Sequence, residues 1–231
     1  MATILNIETS TDVCSVCLSH EGEMKFHDAD YKGRNHAVVL GPFVKNALDY
    51  ARQCELALDA VAVSIGPGSY TGLRIGLSEA KGLCFGLGVP LIGVNTLKLL
   101  SVSVMFSKHV EPDEYFVPMI DARRMEVFTG VYDLALNEIV GNQAMIVDEN
   151  SFAGLLAERR LLFMGNGADK VSEVIKHKNA EFILGVRPNA ADMIALSEKA
   201  YREQDFLDLA YSTPNYLKKF YATVPKKNVL K

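Results

Sequence analysis

Two spacings of apolar residues alternate along the chain. The runs ATILNIETS and DVCSVCLSH are rich in Ile, Val and Thr and predict two strands; a weaker third run, EMKFHDADY, follows a Glu-Gly turn. From His36 to Gln53 the spacing becomes helical, with Leu40, Val44, Ala47, Leu48 and Ala51 on one stripe. The strand DAVAVSI, a glycine-rich turn, a helix from Thr71 to Leu87, the strand VPLIGV and the short helix TLKLLSVSVMF complete the first half. The second half repeats that order. Strands EYFVPMIDA, MEVFTGVYD and NEIVGNQAMIVD precede helix ENSFAGLLAERR, strand LLFMGN, helix GADKVSEVIKH, strand AEFILG and helix NAADMIALSEKAYREQ.

The halves also share turn chemistry. Their first two strands meet at an acid, Glu8 in one and Asp121 in the other. Their fourth strands end in Gly-x-Gly before a helix, at Gly66–Gly68 and Gly165–Gly167. Shared order and two matched turns point to a duplication. Each half reads as an α/β lobe, a mixed sheet of antiparallel meander plus parallel strands, flanked by helices. Two such lobes form the actin and sugar-kinase (ASKHA, RNase H-like) architecture. The polar segment SKHVEPDE, 107–114, is the expected boundary between lobes 1–107 and 108–231, with the last helix able to pack back on the first lobe.

Composition narrows the function classes. The 231 residues are 49% hydrophobic and 23% charged, ordinary for a globular protein, and the net charge of −4 does not suit nucleic-acid binding by charge alone. The opening MATILNIETS has no basic region before Glu8 and reads as no signal peptide, and no window approaches 18 consecutive apolar residues. No membrane association is expected. The cysteines at 14, 17, 54 and 84 form no disulfide framework, so a cytoplasmic location with reduced thiols is expected.

The stretch SIGPGSYTGLRIGLSEAKGLCFGLGVP resembles a phosphate loop at first reading. It fails each test. The Walker pattern lacks its lysine, the dinucleotide fingerprint has Thr71 in place of its third glycine, and Ser69 has Pro67 where a nucleophile elbow needs glycine. Ser69 and Thr71 read as helix caps. Cys14 and Cys17 lie three apart in a strand, on opposite faces and out of disulfide reach. The five histidines form no metal-binding pair: His36 is followed four places on by Leu40, and no metal site is expected. Glu8 with Thr9 and Ser10, and Asp121 with Arg123, occupy matching turns, so two carboxylates could face one cleft. A turn carboxylate equally serves to bond its own backbone.

The helix that follows the glycine turn is apolar nearly all round. Gly72, Gly76, Ala80, Cys84 and Gly88 recur every four residues, and four glycines (72, 76, 82, 86) sit inside the helix. Each interior glycine costs about 1 kcal/mol relative to alanine, which implies a packing reason such as close approach by another helix. The preceding helix carries a second stripe of Val39, Phe43 and Tyr50, and Pro42 should kink it or mark its start. Two neighbouring helices with two apolar faces each suit a helix-to-helix interface; cover by the second lobe or the C-terminal segment is the alternative. The last 14 residues, KKFYATVPKKNVLK, hold five lysines and no acid, with Phe220 and Tyr221 as stacking candidates if the tail touches RNA.

The segments ILNIETSTDVCSVCL, SIGPGSYTGLRIGLSEAKGLCFGLGVPLIGVNTL and PMIDARRMEVFTGVY strongly resemble the TsaB (YeaZ) family of bacterial tRNA threonylcarbamoyladenosine biosynthesis proteins. The likeness covers the first lobe densely, reaches into the second at Asp121 to Phe128 and is thin beyond about residue 150. It implies a non-catalytic paralogue of the threonylcarbamoyltransferase (TsaD), paired with it or with a second copy of itself through the first two long helices. The implied interface is His36, Val39, Leu40, Phe43, Ala47, Tyr50, Thr71, Gly72, Ile75, Gly76, Glu79, Ala80, Leu83 and Cys84. It also implies a small P-loop ATPase (TsaE) and tRNA in the complex. A vestigial nucleotide cleft at Glu8, Thr9, Ser10, Asp121 and Arg123 would follow too, with no cofactor on the chain alone but ATP or ADP with Mg at a subunit junction. The alternatives are a free-standing sugar-kinase-type phosphotransferase and, with no nucleophile to support it, a glycoprotease-like peptidase.

Overall fold

The computed structural model describes residues 2–33 and 35–218, so the tail reading of Phe220 and Tyr221 lies outside the described residues. The first lobe holds β1 (Thr3–Glu8), β2 (Cys14–His20), β3 (Glu23–Asp30), α1 (His36–Gln53), β4 (Ala60–Gly66), α2 (Tyr70–Leu87), β5 (Leu91–Asn95) and α3 (Thr96–Ser107). The second holds β6 (Tyr115–Asp121), β7 (Glu126–Tyr132), β8 (Glu138–Ile146), α4 (Ala153–Glu158), β9 (Leu161–Met164), α5 (Ala168–Val171) and β10 (Ala180–Ile183). A 3-10 turn, Ala190–Met193, leads into α6 (Ile194–Glu203).

The sheet orders are β3-β2-β1-β4-β5 and β8-β7-β6-β9-β10, the same order in both lobes. In each, the first two pairings are antiparallel and the last two parallel. The expected fold class is what the chain adopts. Helices α4 and α5 are shorter than their sequence spacing predicts, because few of their positions reach the core: Leu156 alone in α4, Ala168 and Val171 in α5.

β1 is buried on both faces, as a strand in parallel contact with β4 should be. One face packs with Leu40, Val44 and Ala47 of α1 and Leu77, Ala80 and Cys84 of α2. The other face meets Ala190 and Met193, at the start of the last helical segment. Helix α3 turns Leu97, Leu100 and Val104 toward Phe116, Ile120 and Leu162 of the second sheet. The lobes therefore exchange helices: α3 covers the second sheet, while α6 packs on β1 and β5 of the first. Cys14 and Cys17 fall in clusters on opposite faces of the first sheet, and burial pushes both thiols up to about 12.

The small-residue stripe of α2 faces inward, against expectation. A Cβ on Gly72 would overlap the Thr9 carbonyl oxygen, and one on Gly76 the Thr9 hydroxyl, both at under 3.0 Å. A Cβ on Gly68 would meet the Ser10 carbonyl just as closely. Gly72, Gly76, Ala80 and Cys84 are buried in the lobe's own core. The glycines admit the β1–β2 turn of the same chain, not a helix of another. Pro42 likewise neither starts nor ends α1; it sits exposed in a continuous helix, where the bond it forgoes lies toward solvent.

These glycines separate by environment. Gly72→Ala should lose about 1–3 kcal/mol by overpacking, a fall of roughly 2–4 °C in Tm per kcal/mol for a chain of this size. Gly82 has no atom within 4 Å of a Cβ, so Gly82→Ala should gain up to about 1 kcal/mol. Thermal unfolding of the two variants beside the wild type checks the opposite signs.

Candidate functional site

The β1–β2 turn is assembled from backbone contacts. The Ser69 amide donates to the Ser10 carbonyl at 2.7 Å, and the Gly72 amide donates to Ser69 Oγ at 3.2 Å, which makes Ser69 the cap of α2. Thr71, the second residue of the helix, is exposed and is not the cap. In the second lobe the Gly167 amide donates to the Met119 carbonyl at 3.0 Å, and Gly165 allows no Cβ against the same carbonyl. Gly66 and Gly165 hold left-handed φ of 102° and 95°, which glycine adopts freely. The two lobes thus present matching turns to one another.

A cleft of about 720 Å³ lies between those turns, reaching Ser10, Thr11 and His36 on one side and Asp121, Arg123 and Asn166 on the other. Thr71, Gly72 and Ile75 at the start of α2 also line it. Among the expected cleft residues, the structure brings together Ser10, Asp121 and Arg123. Glu8 and Thr9 do not belong: both are fully buried beneath the turn and do not line the cleft. Glu8 Oε1 accepts from the Ser10 amide at 2.5 Å, and burial pushes its carboxyl up to about 7 against the opposing pull of hydrogen bonds from Ser10 and Ser64. Two carboxylates facing one cleft is therefore not the arrangement found for Glu8 and Asp121.

Asp121 is itself committed. Its Oδ1 accepts from the Arg123 amide at 2.9 Å and from Lys170 Nζ at 2.5 Å. Lys170 also donates to the carbonyls of Arg124 and Glu126, so it ties the whole β6–β7 turn, where Arg123 and Arg124 have φ of 73° and 50°. The other cleft carboxylate, Asp12, lies 3.7 Å from Arg187. Both of these cleft carboxylates therefore lie beside a cation of the same chain. His36 caps the cleft wall, buried at 8% exposure with Nε2 lacking a hydrogen-bond partner among the described residues. Among those residues no three His, Cys, Asp or Glu side chains are grouped to hold a metal.

The expected interface residues divide. Leu40, Ala47, Gly72, Gly76, Ala80 and Cys84 are core, and His36 is buried at the cleft. Val39, Phe43, Tyr50, Ile75 and Leu83 are half-buried against the first-lobe cluster, with Tyr50 5.7 Å from the Phe26 ring, so the second α1 stripe partly covers β3. Glu79 is half-buried and Thr71 exposed. The open apolar surface lies elsewhere on the same helices. Val38 is 73% and Phe85 84% exposed, and Gly41, Gly82 and Gly86 have no neighbouring atom within 4 Å of a Cβ. Gly82 and Gly86 were already marked by their cost inside a helix, whereas Val38, Gly41 and Phe85 fall off the regular stripes and escape a reading by periodicity.

Two like-ordered α/β lobes with matched turns facing a shared cleft define a protein of the actin and sugar-kinase architecture. A model of the family described as TsaD, tRNA N6-adenosine threonylcarbamoyltransferase, matches residues 28–228. The tRNA threonylcarbamoyladenosine biosynthesis protein TsaB of Bacillus subtilis (strain 168) is 29% identical over 94% of both chains. The protein of the same name from Escherichia coli (strain K12) is 34% identical over 59% of this chain and 57% of its own length. The solved structure of YeaZ from Pseudomonas aeruginosa superposes with a TM-score of 0.78 at 28% identity, covering 94% of this chain and all of that one. The chain belongs to the TsaD family and, within it, to the TsaB (YeaZ) group.

The environment of Glu8 sets a pH dependence. The folded state holds the Glu8 proton more tightly than the unfolded chain, so the stability from that proton is present at low pH. That stability, about 3 kcal/mol in all, is lost as pH rises from 4.5 to about 7. Glu8→Gln, which keeps the acceptor for the Ser10 amide, should match the wild type near pH 4.5 and exceed it by about 3 kcal/mol at about pH 8. Urea unfolding of both proteins at the two pH values measures this; parallel profiles contradict it.

Proposed function

We propose that this chain is a non-catalytic subunit of the machinery that makes tRNA threonylcarbamoyladenosine, and that it holds the catalytic threonylcarbamoyltransferase through the outward faces of α1 and α2. The observation that carries the reading is the pairing of exposed Val38 and Phe85 with the uncovered glycines 41, 82 and 86 on adjacent helices. Bulky apolar side chains beside uncovered glycine give a partner helix both an anchor and room to approach. The names carried by the relatives, and the catalytic family whose model spans most of the chain, supply the class of partner.

The cleft supports the non-catalytic part of this reading. Its carboxylates are paired with Lys170 and Arg187, and Glu8 is buried. A sugar-kinase-type phosphotransferase would need free carboxylates to hold metal and nucleotide there. The same helix faces would serve a homodimer when the partner is absent, so self-pairing and hetero-pairing compete for one surface. A small P-loop ATPase belongs to the assembly in this reading, with no surface of this chain assigned to it. No helix among the described residues is long and apolar enough to cross a membrane.

The test uses exposed positions, because Gly76→Arg would strike Thr9 in the core and unfold the lobe. Phe85→Asp and Gly82→Arg should each weaken binding to the catalytic paralogue from the same source by tenfold or more, about 1.4 kcal/mol. Tm should be preserved. Isothermal titration that returns the wild-type Kd for both variants would reject the surface.

A further inference from the structure

A second groove, of about 640 Å³, opens beside the interlobe cleft. One wall is the start of α2, with Tyr70 and Arg74; another is the segment Asn215–Lys218; the third is Arg123 and Phe128 of the second lobe. Among the described residues three cations and three aromatic rings line it and no carboxylate does, in a chain whose net charge is −4. Arg74 Cζ lies 4.2 Å from the centre of the Tyr70 ring, and Arg74 Nε donates to the Tyr216 hydroxyl at 2.9 Å. The two tyrosine rings are 5.0 Å apart and inclined by 33°. Among the described residues neither Arg74 nor Arg123 forms an ion pair, while Lys218 reaches Glu126.

The platform is held in place on the side that could have been loose. The Asn215 amide donates to the Ile65 carbonyl at 2.7 Å, and Lys81 Nζ donates to the Ser212 carbonyl at 2.8 Å. A Cβ on Gly66 would sit 3.0 Å from the Asn215 carbonyl oxygen, so the segment lies tightly on the glycine turn. Tyr216 is thereby fixed against Arg74 before any ligand arrives. An acidic peptide would use the cations and draw little from the aromatic rings. A nucleotide strand uses both, its bases stacking on rings and guanidinium and its phosphates meeting Arg and Lys. The sequence after Lys218 adds four lysines and no acid.

We propose that the Tyr70–Arg74–Tyr216 groove binds a single-stranded segment of RNA. This deepens the function proposed above, since it gives the scaffold subunit its own contact with the RNA that the complex modifies. The contact is set apart from the docking anchor along the helix: Arg74 lies eleven residues before Phe85 on α2, about 16 Å along its axis.

The experiment is fluorescence anisotropy of a labelled, unstructured RNA of about 12 nucleotides titrated with the full chain. Tyr216→Ala should weaken binding about tenfold through a lost stacking surface. Arg74→Ala should weaken it and lower the slope of log K against log salt by about one. Tyr216→Phe, which keeps the ring, should stay within about twofold of the wild type. Thermal unfolding confirms that each variant is folded. Unchanged binding by Tyr216→Ala and Arg74→Ala overturns the proposal. Displacement of the RNA by an equal concentration of ATP also overturns it, in favour of a free nucleotide. Both variants should still bind the catalytic paralogue; loss of that binding would make the groove part of the protein interface and overturn the proposal as well. Failure of the wild-type chain to pair at all would sink the proposed function while leaving the RNA titration on the isolated chain interpretable.

Discussion

The close approach of α2 to the β1–β2 turn is the constraint on which the first lobe depends. Gly68, Gly72 and Gly76 place the helix backbone against Ser10 and Thr9 at a distance no side chain permits. That contact buries Glu8 and Thr9, leaves Ser10 on the cleft wall, and fixes which face of α2 is left for solvent. Gly165 and Gly167 press on Met119 and Ile120 in the second lobe by the same logic. The halves then differ in what they hang on the turn: hydroxyls in the first, arginines tied down by Lys170 in the second.

Exchange of helices joins the halves. Each lobe alone would leave one face of its sheet bare, which a mixed sheet with a buried parallel half cannot tolerate. α3 fills that place on the second sheet and α6 on the first. The C-terminal segment adds a further tie, bonded to Ile65 at one point and to Glu126 at another. The cleft is in this way bounded by turns whose positions the packing sets, and its carboxylates lie beside cations of the same chain.

Much of the fold could be read from spacing alone. The apolar, β-branched runs of β1 and β6, the helical period in α1 and α2, and the paired Gly-x-Gly turns marked the element order and the duplication, because each follows from local backbone geometry. The direction of the small stripe on α2 could not be read so. Periodicity shows that Gly72, Gly76, Ala80 and Cys84 share a face, but not whether that face meets a partner helix or Thr9 of the same chain. The same gap hid the commitment of Asp121, since Lys170 is 49 residues away. The platform of Arg74 and Tyr216 joins positions 142 apart and carried no local signal.

Once α2 is turned by its glycines onto the chain's own core, the large apolar groups it leaves in the open include Phe85 and, beyond it, Leu87. A partner protein is expected there. Hydroxyl-radical footprinting with mass spectrometry reads this directly, because Phe85, Phe106 and Tyr211 are 84%, 69% and 85% exposed and should all react in the free chain. In the complex with the catalytic paralogue, Phe85 should be protected while Phe106 keeps its reactivity. Full reactivity of Phe85 in a complex that demonstrably forms would contradict a docking role for this face.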